Sequence, residues 1–424
     1  MPIHYETIRN FISICVLLTM TSVTHGGTRV VSAAIALNKD TLPMISISLL
    51  SNLNYDLLYG RPGGYGECTS RQSSFVTSGC ESPLKLVRSA MDDAAKGKDD
   101  FTFIAGGLMR HGTEAISPQE VEDTMKEVLG VISDASNSSG TATLPLPTVL
   151  AIGGTDLTPT NSFNPISAQP QYAQLLSLMM SEGLLTKEEH SHMADCGYYN
   201  RDVAKARFRV VVLNTVLWSN ALRPSLTVGN IDPCDQFSFL QSSIEWARQR
   251  DWHVIILGSV PPVLNVEEAL QMKSIADATY YWRNDFREAY LRIISANRFS
   301  VAAQFFSSTG KMGFVASAKL GPPMYIIPSV SPLKGNNPSY VRATLDSKTG
   351  RVVSLQQRYM EENGSWVQRD TLEDVIHIPL GGINEYSLYN VMAIAQSEEQ
   401  WEPFARMRAG GRYLARNERC SPLV

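Results

Sequence analysis

Asp100-Phe-Thr-Phe-Ile-Ala-Gly-Gly-Leu-Met-Arg-His111 opens on a short apolar run, Phe101 to Ala105, that breaks off in two glycines. An apolar run of this length predicts a buried strand, and the glycines predict the turn that ends it. Further on, Ser117-Pro118-Gln-Glu120 has the form of a helix start, with a hydroxyl cap, proline at the first helical position and glutamate three residues after the cap. Val121, Met125, Val128, Leu129 and Ile132 then keep helical spacing, and Thr148-Val-Leu-Ala-Ile152 predicts a second strand. Strand, loop, helix, strand is a crossover unit, and it implies a parallel pair of strands.

The same alternation extends in both directions. Met44–Leu50, Phe208–Leu213, His253–Leu257 and Met324–Ile327 read as strands; Leu84 to Ala94, Tyr172 to Leu185 and Phe237 to Ala247 read as helices. An α/β fold follows, with ligands expected beyond the C-terminal ends of the strands, in the loops after residues 50, 105, 152, 213 and 257. The 424 residues carry 37 basic and 41 acidic side chains, a net charge of −4 that argues against an unspecific nucleic-acid binder. At 44% hydrophobic and 18% charged the chain is neither disordered as a whole nor a multi-pass membrane protein.

The N-terminus has a polar opening, the apolar run Phe11 to Met20 and small or polar residues to Gly27, the layout of a secretory signal peptide over residues 1–26, with an N-terminal anchor as the alternative. Outside that segment five cysteines remain, Cys68, Cys80, Cys196, Cys234 and Cys420, from which we expect two disulfides and a free thiol in an oxidising compartment. Their pairing stays open. Asn137-Ser-Ser and Asn363-Gly-Ser are glycosylation triplets.

Several segments, in order, resemble those of the calcineurin-like metallophosphoesterases, in the branch that holds acid sphingomyelinases and vacuolar endopolyphosphatases. Ser51-Asn-Leu-Asn-Tyr-Asp56 is similar to the family's S-D-x-H-Y-D, and Gly79-Cys80-Glu-Ser-Pro83 to G-C-D-S-P. Asp100 to His111 is similar to D-F-x-x-x-T-G-D-x-x-R-H, and Ala151-Ile-Gly-Gly-Thr-Asp156 to a G-N-H-D box. Ile256-Leu-Gly-Ser-Val-Pro-Pro262, Gln304-Phe-Phe-Ser-Ser-Thr-Gly310 and Asn336-Asn-Pro-Ser-Tyr340 are similar to I-G-H-I-P-P, Q-F-F-G-H-T-H and N-N-P-G-Y. The resemblance implies a four-layer sandwich of two mixed β-sheets flanked by helices. The phosphoesterase domain would span residues 41–345, with a mostly helical C-terminal extension over 346–424.

The family's reaction uses two divalent metals, zinc, iron or manganese, to orient a phosphate and lower the pKa of a bound water. The resemblance puts Asn52 and Asn54 where the first ligand Asp and His belong, Gly107 at the bridging Asp, Gly154 at the Asn ligand and Thr155 at the catalytic His. Ser259, Ser308 and Gly310 fall at the three later His ligands. Amides, hydroxyls and bare glycines are poor substitutes for such a set. The expectation is a degenerate, catalytically inactive member of the branch with no catalytic residues and no cofactor. It would hold a protein partner or an anionic ligand at the former cleft, or pair with an active paralogue, in the secretory route, outside the cell or in a vacuolar or lysosomal-type lumen. The alternative is an active metal-dependent phosphodiesterase, phosphatase or endopolyphosphatase with two metals on other ligands.

His111 and Asp156 match residues that the family retains beside its metals; here His111 is expected to be a hydrogen-bonded loop residue and Asp156 to cap a turn. His190-Ser-His192 would hold a metal only on a strand, and its polar surroundings predict a solvated turn. Ser259 and Ser308 lack the G-x-S-x-G context of an activated nucleophile. Gly60-Arg-Pro-Gly-Gly-Tyr-Gly66 lacks the Lys-Ser/Thr of a phosphate loop and reads as a turn; Arg61 and Arg71 beside it could keep weak anion affinity. Val352 to Tyr359 with Trp366 predicts a strand pair, and Tyr386 onward and Trp401 onward predict helices. Arg406, Arg408, Arg412, Arg416 and Arg419 form a basic tail that could meet anionic lipid or polyphosphate, the favoured expectation being a solvated helix face offset by acidic neighbours.

Overall fold

A computed structural model of the protein describes residues 44–66, 68, 77–138, 147–164, 169–226, 229, 231–265, 268, 272, 278–317, 321–376, 383 and 398–412. The expected signal segment, Cys15, Arg71, the helix from Tyr386, Arg416, Arg419 and Cys420 lie outside those residues. Three parallel strands, β1 (Met44–Leu50), β2 (Phe101–Ile104) and β3 (Thr148–Leu150), are linked by two helices, α1 (Leu84–Lys96) and α2 (Pro118–Ser138). This is the crossover that Phe101 to Ile152 predicts. Its buried residues, among them Leu86, Val87, Ala90 and Met91 of α1 and Met125, Val128, Leu129 and Ile132 of α2, are those with helical spacing.

Helices α3 (Pro170–Ser181) and α4 (Lys187–Cys196) lead into a second sheet. Its strands are β4 (Tyr199–Val203), β5 (Phe208–Val212), β6 (His253–Leu257), β7 (Val301–Phe306), β8 (Gly313–Ser317) and β9 (Gly321–Ile326), in the order β4-β5-β6-β7-β9-β8. Helices α5 (Gln236–Arg248) and α6 (Asn284–Ala296) make the crossovers on either side of β6. The chain then returns to the first sheet with β10 (Ser339–Asp346), β11 (Val352–Met360) and β12 (Trp366–Thr371), giving the order β12-β11-β10-β1-β2-β3. Both sheets are mixed, since β10 is antiparallel to β1, β4 to β5 and β8 to β9. The two sheets and their flanking helices form the α/β sandwich that the resemblance implies.

The first sheet continues across the boundary expected at 345/346, because β10 and β11 pair from Ser339↔Tyr359 to Leu345↔Val352. Among the described residues, the part beyond it contains two strands, the short helix α7 (Leu372–Val375) and α8 (Glu398–Arg408). Strands β4, β7, β8 and β10 are not anticipated by periodicity. In β7, Val-Ala-Ala-Gln-Phe-Phe, every residue is buried, so no alternation marks it. In β4, Asn200 and Asp202 are the outward residues of a sheet edge and break the apolar run.

His190 and His192 lie on α4, which corrects the solvated turn expected there. Thr186 caps the backbone of Glu189, the Glu189 carboxylate returns to the Thr186 N–H, and Gly197, left-handed with φ 80°, ends the helix. A second correction concerns Arg408, which is 2% exposed and donates from Nε to Met312 O at 2.9 Å, so the arginine run is not a uniform solvated face. Two disulfides form, Cys68–Cys80 and Cys196–Cys234. Among the described residues no helix is long and apolar enough to cross a membrane.

The edges of the two sheets are held together by side chains of β4. Tyr199 Oη accepts from Leu150 N at 3.2 Å and donates to Leu150 O at 3.1 Å. Buried Arg201 forks onto Glu189 of α4 at 2.6 and 2.7 Å and donates to the carbonyls of Thr148 and Leu184. The C-terminal ends of both sheets are tied as well, by Ser307 Oγ donating to Ala105 O at 2.7 Å and Ser51 Oγ to Pro328 O at 3.0 Å. The loops that the sequence marks for inspection therefore meet at one place.

Candidate binding cleft

The backbone of these loops sets the cleft before any side chain does. Asn52 N and Asn54 N donate to Gly106 O and Gly107 O at 2.9 and 2.8 Å, so the loop after β1 is zipped to the loop after β2. Asn52, Asn54, Gly107, Ser308 and Gly310 all hold positive φ, between 43° and 78°. Asn tolerates that region better than most residues, whereas serine is unusual there.

Asp156, 1% exposed, binds the loops from beneath. Its Oδ2 accepts from Gly153 N at 2.8 Å and Gly107 N at 3.0 Å, and its Oδ1 from Leu108 N at 2.5 Å and Met109 N at 3.3 Å. Burial pushes its pKa up to about 6 although four N–H groups pull the other way. Beyond closing its own turn, Asp156 joins the loop after β3 to the loop after β2.

Around this core stands a second polar framework. Arg110 Nη1 donates to Asp56 Oδ1 at 3.0 Å and Gly63 O at 2.7 Å, while Asp56 Oδ2 accepts from Tyr65 N at 2.8 Å. The glycine loop is thus a connection pinned by Arg110. Fully buried Glu81 lies 2.6 Å from His111 Nδ1 and accepts from His111 N and Ser331 Oγ at 3.1 and 3.0 Å. His111 is the hydrogen-bonded loop residue that the sequence suggests.

A cleft of about 160 Å³ opens above these loops. Asn52, Asn54, Gly107, Gly154, Thr155, Ser259 and Ser308 line it together with His111, while Gly310 is not in its lining. A Cβ built on Gly310 would stand 2.6 Å from Lys334 Cβ, so the stem of Lys334 takes that space. The sequence reading did not anticipate Lys334, Thr160 or Asn161 in the wall. The signal present for the last two was the turn composition of Thr158-Pro-Thr-Asn161. Ser259 Oγ is 3.3 Å from Ser308 Oγ and 3.5 Å from Ser307 Oγ, a hydroxyl cluster that among the described residues has no hydrogen bond to a carboxylate or an imidazole. Thr155 Oγ1 is buried at the cleft and has no hydrogen-bond partner among the described residues.

Two divalent cations need carboxylate or imidazole donors in close array. At the positions carried over by the resemblance this wall offers amides, hydroxyls and glycines, and its one imidazole has Glu81 on Nδ1. Among the described residues no three His, Cys, Asp or Glu side chains are placed to hold a metal ion. The described residues of the cleft do not fit a two-metal centre.

No family model matches the chain. Acid sphingomyelinase-like phosphodiesterase 3b of Mus musculus is 26% identical over 344 residues, covering 75% of this chain and 71% of that protein. The chain is a homologue of the acid sphingomyelinase-like phosphodiesterases. The Homo sapiens 3b protein is 28% identical over 345 residues, covering 74% and 70%, and the human cyclic GMP-AMP phosphodiesterase SMPDL3A is 24% identical over 295, covering 66% and 61%. Among solved structures, PhoD superposes with a TM-score of 0.50 at 12% identity over 78% of this chain and 69% of PhoD, a likeness of fold alone. For this homologue the two disulfides fit maturation in the secretory pathway.

Proposed function

We propose that the protein is a binding or regulatory member of the phosphoesterase fold in the secretory or vacuolar route, without two-metal hydrolysis of its own. The observation that carries this reading is the donor set of the cleft: amides, hydroxyls and glycines on backbone that is fixed by Asp156. Such a wall hydrogen-bonds a polar ligand or a partner's loop, and among the described residues no three side chains are placed to hold a metal and no carboxylate or imidazole is hydrogen-bonded to Ser259 or Ser308. The ligand proposed is an anion or a protein segment, with an active paralogue as the partner if the role is regulatory.

The names of the relatives favour a second reading. Each of the three relatives quoted above is called a phosphodiesterase, which supports phosphodiester hydrolysis; in this chain the reaction would need two metals on ligands other than the cleft residues named above. Metal analysis of the purified full chain, with hydrolysis of a generic phosphodiester in added zinc, manganese or iron(II), separates the two. The expected outcome is well under one metal per chain and hydrolysis at background. About two metals per chain with turnover abolished by chelator would overturn the proposal.

A further inference from the structure

The arginines near the C-terminus find separate uses. Arg408 is buried on Met312 O, and Arg412 donates to Gly335 O and Ser78 Oγ. Arg406 does neither. It lines a pocket of about 290 Å³ with Arg369 of β12, Val375 of α7 and Glu402, Pro403 and Met407 of α8. Among the described residues its buried Nε has no hydrogen-bond acceptor. Arg369 donates from Nε to Tyr359 Oη at 2.9 Å, which turns its guanidinium alongside the Tyr359 ring, 5.5 Å from the centroid. Among the described residues neither guanidinium is in an ion pair with a carboxylate.

We propose that this pocket binds a tetrahedral oxyanion of the phosphate class. A guanidinium is a permanent cation with planar forked donors suited to such an ion. Two of them facing one pocket repel each other, and a buried donor without an acceptor is unfavourable. An anion between them removes both penalties. Among the described residues that line the pocket, two are guanidinium-bearing and one, Glu402, is a carboxylate, so cations outnumber anions there. No residue is shared with the cleft above the loops of β1, β2 and β3, and the inference stands whether or not that cleft is catalytic.

The test is isothermal titration of the full chain with inorganic phosphate at low ionic strength, with thermal melts in parallel. We expect saturable binding, weakened at least tenfold by Arg406→Met and by Arg369→Met, partly retained in Arg406→Lys and unchanged in Lys205→Met, at an exposed position outside both the pocket and the cleft. Without phosphate, Arg406→Met should melt no lower than the parent, since it relieves repulsion and an unpaired donor; with phosphate only the parent should gain. If Arg406→Met fails to fold, Arg369→Met, at an exposed position, carries the test. Absence of saturable binding, equal binding in both arginine variants, or loss of binding in Lys205→Met alone would overturn the proposal.

Discussion

Gly107 and Gly154 look alike in the sequence, and both fall where the resemblance places a metal ligand, yet the structure treats them differently. A Cβ on Gly107 would stand 2.7 Å from Asn52 Cα, which is backbone, and its φ of 77° disfavours any side chain. A Cβ on Gly154 would meet Asn161 Oδ1 at 1.9 Å, the far end of a side chain that can turn away. Gly107→Asp is therefore expected to destabilise by more than the roughly 1–2 kcal/mol of left-handed strain alone, whereas Gly154→Asn should stay near parental stability; urea midpoints of the two variants decide this. Restoring acidic and imidazole residues throughout the cleft therefore requires movement of the Asn52 backbone first.

Asp156 gives a pH prediction at the same scale. Its pKa in the folded state, about 6, lies above the unfolded value of roughly 3.9. The folded state thus holds the proton more tightly, so its contribution is fully present below about pH 4 and is lost as pH rises through about 6. The stability difference between the parent and Asp156→Asn, followed by urea unfolding between pH 3.5 and 8, should move in that window against the parent and be flat above it. A difference that does not change with pH would contradict this.

At the scale of elements, the critical joint is the seam between the sheets. Side chains of Arg201 and Glu189 are each 8% exposed and form a forked pair, with Thr148 O and Leu184 O as further acceptors. Removing one partner leaves a buried charge alone, a loss of roughly 3–5 kcal/mol. Arg201→Met should lose that much in denaturant unfolding, and the double variant Arg201→Met/Glu189→Leu should recover a large part of it. Neither residue is marked by periodicity. Arg201 sits in a polar edge strand, and its meaning depends on β3, some fifty residues upstream, coming alongside. By contrast β1, β2 and α2 were legible because caps, glycines and apolar spacing are local. In the cleft, the loops were legible from motif order; the closeness of Lys334 to Gly310 and of Asn161 to Gly154 was not, since no spacing rule encodes contact between separate loops.

At the scale of the whole molecule, the described residues share one apolar core that runs through both sheets, and two covalent links tie their loops. Cys196–Cys234 closes a separation of 38 residues and Cys68–Cys80 one of 12. Loop-closure entropy assigns them about 4 and about 3 kcal/mol. Cys196→Ala/Cys234→Ala is expected to lower the thermal midpoint more than Cys68→Ala/Cys80→Ala, and reductant should lower that of the parent; the reverse order would show that native contacts outweigh the loop entropy.

The four backbone N–H groups gathered by Asp156 have a further consequence, for how such a chain changes over generations. An internal carboxylate that holds the loops in shape leaves the rim with local contacts, such as Thr160 Oγ1 accepting from Gly112 N and Ser219 Oγ accepting from Ala221 N. Substitutions at Thr160, Asn161, Ser219 or Lys334 can then accumulate one at a time, each altering what the surface recognises while the scaffold beneath stays intact. Specificity can drift by single steps in this lineage, where a cleft whose shape depended on a bound cation would have to change several positions together.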